Sequence, residues 1–191
     1  MINLRHPRLA LAFGLVLLAA FFATGCIVAE KKEYSFKVNA DGSGSGSIKF
    51  INLLSSDDDD KDVSFKDFAE LVTDYVEGTK WEDENQAFRV TDKKLYEENG
   101  VLVGEVKFTF TAWDSVGFLR TASCDCCPVL YYLDTSSETF ESSNGTHLGE
   151  GGKLPLVSFD GKAKEFRIAT VMSNSIDDTH PLLPHYKGWK K

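Results

Sequence analysis

The chain of 191 residues carries 29 acidic and 21 basic side chains, for a net charge of −8, with 42% hydrophobic and 12% aromatic residues. That apolar content is enough to bury a real core, which excludes a disordered chain. The acidic balance excludes nucleic acid as a partner and adhesion to anionic lipid headgroups by charge.

The N-terminus opens with Arg5 and Arg8, followed by an apolar run from Leu9 to Phe22 that only Gly14 interrupts. A positive flank ahead of such a run is the physical form of an export signal, because the charge stays on the cytoplasmic side while the run enters the bilayer. The small residues Ala23, Thr24 and Gly25 then lead directly into Cys26. This segment resembles the signal peptide of bacterial lipoproteins. The resemblance implies removal of residues 1–25 and lipid on the Cys26 sulfur. It also implies a cell-envelope location, and the outer membrane in a Gram-negative cell, because Ile27 stands where an aspartate would be the inner-membrane retention signal. Two acyl chains, at about 0.8 kcal/mol per buried methylene, anchor a protein stably without a spanning helix. The competing reading is an uncleaved anchor, since Ile27, Val28 and Ala29 extend the run to about the length of a bilayer core. Without residues 1–25 the chain has 166 residues and a net charge of −10, since the removed segment holds two arginines and no acid. That is one ordinary domain, placed at residues 33–175 after a tether at 26–32 and before an irregular tail at 176–191.

Tyr34, Phe36 and Val38 alternate with polar residues, as a half-buried strand does. Asn39 to Gly42 and the Ser-Gly alternation through Ser47 supply turn chemistry, and Ile48, Phe50 and Asn52 resume the alternation, so residues 33–53 read as a hairpin. The glycines lack a following lysine and helix, which excludes a phosphate-binding loop. Aspartates 57–60 read as a solvated loop, since consecutive aspartates have none of the spacing of a calcium loop.

Ser64 and Asp67 have capping-box spacing, and Phe65, Phe68, Leu71, Val72, Tyr75 and Val76 form one apolar stripe that Gly78 ends. This predicts a helix over about 64–77. Asn99-Gly100 between two β-rich runs, 87–95 and 101–111, predicts a second hairpin, with Leu102, Gly104, Val106, Phe108 and Phe110 on the core face. A short helix over 113–120 and strands near 129–133, 139–143, 154–159 and 165–172 follow, with Asn144-Gly145 and Asp160-Gly161 as turns. The fold class is α+β: an antiparallel sheet built from hairpins with one main helix packed on a face. Pro181 and Pro184 argue against a regular element in the tail.

Cys124, Cys126 and Cys127 are the dense cluster of reactive side chains. In an oxidising envelope, an odd number of thiols cannot all pair within one chain. A local disulfide, Cys124–Cys126 or Cys126–Cys127, is one reading. Soft-metal binding completed by His147, His180 or His185 is a second, and an incidental cluster is a third. Cys124 and Cys127 also have the formal Cys-x-x-Cys spacing of thiol-redox proteins. The sequence contains no Gly-x-Ser-x-Gly elbow, His-Glu-x-x-His or dinucleotide fingerprint. Asp177-Asp178 and Glu97-Glu98 read as solvated turn carboxylates, His180 and His185 as exposed tail residues, and Asn144-Gly145-Thr146 as a turn. The expectation is an envelope module that binds or supports a membrane or protein partner, with no catalytic site and no cofactor beyond covalent lipid. The alternative is a metal or thiol-redox protein built on Cys124, Cys126 and Cys127.

Overall fold

The computed structural model describes residues 27–120, 124, 127–133, 138–149, 154–172 and 178–191; the expected export signal and Cys26, together with Cys126 and Asp177, lie outside them. Strand β1, Ile27–Val38, pairs antiparallel with β2, Gly44–Ser56, from Ile27 opposite Ser55 to Val38 opposite Gly44. The expected tether at 26–32 is therefore strand from Ile27 onward. Ile27 and Ala29 pack against a leucine-rich part of the core, and that contact orders the segment. The first turn is confined to residues 39–43, where Asp41 Oδ1 accepts from the Ser43 amide at 3.0 Å and its hydroxyl at 2.7 Å. Gly44 and Gly46 are strand rather than turn. They lie opposite Phe110 and Phe108, and a Cβ on either would collide with those rings.

Asn52 does not continue the alternation. It takes φ 55° and donates to Glu30 at 2.6 Å, so Phe50 and Leu53, which strict alternation would put on opposite faces, come to line the same space. Such an irregularity re-aims side chains along one strand.

Helix α1, Ser64–Glu70, continues without a break as a π-helical turn, Leu71–Val76, and a short α2, Lys80–Glu84, follows. The predicted span is present, but the capping box is not. Val63 is the N-cap and offers no side-chain cap, while Asp62 before it accepts the Ser64 amide at 2.8 Å, and its bonds from Ser64 hold its carboxyl below the ordinary 3.8. Asp67 is instead turned inward, where it accepts from the Ser55 hydroxyl at 2.6 Å.

The second hairpin joins β3, Arg89–Glu98, to β4, Val101–Phe110. Glu98 faces Val101 across a two-residue turn in which Asn99 has φ 52° and Gly100 φ 81°, both positive as a type I′ turn requires. The five predicted core-face residues of β4 are all buried, and Val103 on the other face is buried as well. A 3-10 turn, Asp114–Val116, stands where a short helix was expected. It leads into β5, Phe118–Leu119, with β6, Val129–Tyr132, beyond. Then come β7, Glu138–Ser143; β8, Thr146–His147; β9, Leu156–Phe159; and β10, Glu165–Met172.

The tail departs most from expectation. β11, Thr179–Pro181, pairs with the end of β2, and α3, Leu183–Trp189, follows directly. Pro184 lies in the first turn of α3, where no intrahelical amide bond is needed, so it does not obstruct the helix.

The larger sheet runs β3-β4-β2-β1-β10-β7, with β11 also on β2, and the smaller runs β5-β6-β9-β8. All pairs are antiparallel, which with α1 on the sheet gives the α+β class. Two apolar clusters fill the interior. One is aromatic, centred on Phe36, Phe108, Phe118 and Phe166, and joins the two sheets; the other is aliphatic and joins Leu53, Leu95 and Leu102 to α1 and the tail.

Candidate functional site

A groove of about 360 Å³ lies between the larger sheet and the helical segment above it. Residues from β3, β4, β2, β1, β10 and β7 contribute to it, so it crosses six adjacent strands. Its size falls within the range of small-molecule sites.

Sequence places the apolar walls in three ways. Ile27 and Ala29 come from the start of β1, Leu53 from beyond the Asn52 irregularity, and Leu71 and Val76 from the helix above. The π turn bears on the last of these. Its backbone closes i to i+5, as in the Glu77 amide bonded to the Val72 carbonyl at 2.9 Å. This wider turn lets Leu71, Tyr75 and Val76 all reach the groove.

Charge enters the groove in pairs. Lys93 donates to the Gly78 carbonyl at 2.5 Å and to Glu82 at 2.9 Å, which fixes α2 to β3. At the opposite end, Glu138 of β7 accepts from Lys32, from the Tyr34 hydroxyl at 3.1 Å and from the Thr170 hydroxyl at 2.5 Å. Burial, followed by the Glu138 charge, pushes the Tyr34 hydroxyl well above its ordinary 10, so it remains a donor. Sequence reasoning missed this cluster entirely, because Lys32, Tyr34, Glu138 and Thr170 meet only through the β1–β10–β7 pairing. Lys32 and Tyr34 at strand spacing were a legible hint of two polar tips on the core face.

The residues singled out from the sequence are dispersed. Cys124 and Cys127 form a disulfide, so neither of the expected pairings with Cys126 is present. In this form neither sulfur is a thiolate ligand. His147 stacks on Phe140 at 4.1 Å, His180 contacts Asp57 at 2.8 Å, and His185 shares a 2.9 Å hydrogen bond with Ser64. The two tail histidines are thus partnered rather than free. Among the described residues no group of three or more His, Cys, Asp or Glu side chains gathers as a metal site. Ser64 with His185 has the form of half a nucleophile pair. The hydroxyl, however, is buried where α1 meets the tail, neither residue lines the groove, and the bond ties α3 to α1.

Aspartates 58–60 form a turn closed by a bridge from Asp58 to Lys61, with Asp59 and Asp60 at positive φ, as a surface loop allows. Among the described residues no helix is long and apolar enough to cross a membrane. No protein-family model matches the chain, and no curated protein or solved structure matches it either.

Proposed function

We propose that this protein is a bacterial lipoprotein, cut before Cys26 and held at the cell envelope by lipid on that residue, and that its domain works by binding rather than by catalysis. The outer membrane is its location in a Gram-negative cell. Its ligand is a single elongated apolar chain of the acyl type, lying in the groove beneath the helical segment.

The observation that carries this reading is the groove itself: lined mainly by apolar side chains, aliphatic and aromatic, and placed where β1 begins. Each methylene of a chain buried there contributes about 0.8 kcal/mol relative to water, so a chain of ordinary acyl length gains enough to overcome its ordering cost. The test uses the native protein extracted from membranes. Its intact mass should match a chain starting at lipidated Cys26, and an unprocessed mass would overturn the anchor. A photoreactive acyl probe should label groove peptides, and Val76→Trp, which places a large ring in the slot, should reduce that labelling at least tenfold. Equal labelling of the variant and the parent would overturn the binding role.

A second reading, thiol-disulfide exchange, is favoured by the Cys124–Cys127 bond spanning a Cys-x-x-Cys. It predicts that two more thiols alkylate after mild reduction and that the bond re-forms on exposure to an oxidised dithiol partner. Resistance to mild reduction would remove it.

A further inference from the structure

The two ends of the groove differ in what they offer a ligand. Lys93 is 11% exposed in its side chain and contacts the Gly78 carbonyl and both Glu82 oxygens, at 2.8 and 2.9 Å, so its three donors are engaged. Lys32, at 28%, has Glu138 as its single hydrogen-bond acceptor among the described residues, while an ammonium carries three N–H groups. Glu138 is 13% exposed, and its roughly four acceptor positions are filled by Lys32, by the Tyr34 hydroxyl, which reaches both oxygens at 3.1 and 3.3 Å, and by the Thr170 hydroxyl. Lys32 and Glu138 both line the groove. Unused N–H donors of Lys32 therefore stand beside a fully engaged carboxylate in a largely apolar groove. Tyr34 and Thr170 hold the carboxylate in place, so it cannot swing aside for a ligand.

We propose that the Lys32–Glu138 pair reads the head of the bound amphiphile and selects a neutral head that accepts a hydrogen bond from Lys32, a glyceryl ester in the simplest case. The inference rests on the acyl-binding reading given above. Its reason is electrostatic. An anionic head would be attracted by Lys32 and repelled by Glu138 at nearly the same distance, and a cationic head would meet the reverse. Either ion would lose its hydration for almost no Coulomb return. A neutral ester or hydroxyl oxygen gives up far less hydration and accepts from Lys32.

The experiment compares three photoreactive probes of one chain length, a monoacylglycerol, a fatty acid and an alkyltrimethylammonium, on the native protein in phosphatidylcholine vesicles. Labelling of groove peptides is quantified by mass spectrometry. The monoacylglycerol should label about tenfold more than either ion. Glu138→Gln leaves the Lys32 charge uncompensated and should transfer the preference to the fatty acid. Lys32→Gln should transfer it to the ammonium, so either variant carries the test if the other fails to fold. Equal labelling by the three probes, or a preference that neither variant moves, overturns head selection while leaving acyl binding intact. No groove labelling by any probe overturns the acyl-binding reading, and this inference with it.

Discussion

One face of one sheet is closed in two ways. At the end bearing Phe36 and Phe166 the cover is a second sheet, and rings interlock: Phe118 meets Phe36 at 5.0 Å edge-on, Phe166 at 5.0 Å and Tyr131 at 4.9 Å. At the end bearing Leu53 and Leu95 the cover is a helical segment standing on aliphatic side chains, and a groove is left. Rigid planar rings with preferred edge-to-face contacts fill space from several strands at once. A helix contributes a single stripe, and the width of the sheet beneath it exceeds what that stripe covers. The comparison teaches that one face of a sheet can be filled at one end and left with open space at the other, according to what covers it.

The largest difference is expected from truncation. Phe118→Ala should cost about 3–5 kcal/mol in denaturant unfolding, because a fully buried ring leaves a cavity that its neighbours cannot fill. Leu53→Ala should fall near the lower end of the Leu→Ala range, about 2 kcal/mol, since one side of Leu53 already faces the groove. Equal losses would show that the two ends are packed alike.

Added volume sharpens the same contrast. A Cβ at Gly46 would lie 2.5 Å from the Ser35 carbonyl and 2.9 Å from the Phe108 ring. Gly46→Ala should destabilise by about 3 kcal/mol or more, as overpacking does when backbone is in the way. At Gly104 the nearest atoms are side-chain methyls of Leu53 at 3.2 Å and Leu95 at 3.5 Å, which can give toward the groove. Gly104→Ala should therefore change the unfolding free energy by less than about 1 kcal/mol. A Gly104→Ala protein as unstable as Gly46→Ala would mean that the groove walls are rigid.

The disulfide is a smaller matter. It closes a loop of only four residues, so the chain-entropy estimate for Cys127→Ser is at most about 2 kcal/mol. A larger loss in melting experiments would make the bond a structural staple rather than an exchangeable one.

The last effect is absent at neutral pH. Burial, then Glu138, raises the hydroxyl pKa of both Tyr34 and Tyr131 above the ordinary 10.0. The folded state keeps protons that the unfolded chain releases, so this contribution is full below pH 10 and is lost as pH rises beyond it. In an alkaline titration, phenolate absorbance from these two rings should appear together with unfolding and vanish on return to neutral pH. Titration with the fold intact would place both rings in contact with water.

Much of the architecture was legible, and the reasons are local. Asn99-Gly100 specified a turn with two positive φ angles, and the apolar stripe from Phe65 to Val76 specified a helix, because backbone sterics and side-chain periodicity act over a few residues. Where the reading failed, a partner distant in sequence had intervened. Ser-Gly alternation reads as a turn, but Phe108 and Phe110, more than sixty residues later, require those glycines in a strand. Asp67 looked like a capping residue until Ser55 drew it inward, and Pro181 and Pro184 looked disruptive until β2 supplied an edge for β11. The candidate site was the least legible part, since Lys32 and Glu138 are 106 residues apart and carry no shared motif.

The sequence by itself determined the α+β class, the two hairpins and the main helix, because each is written in periodicity or turn chemistry. Only the tertiary structure decided that β1 starts at Ile27, that Cys124 pairs with Cys127, and that an ion pair stands at one end of an apolar groove. A groove is space left between elements, and its volume depends on how separate segments of chain meet across the sheet; no single stretch of residues encodes it.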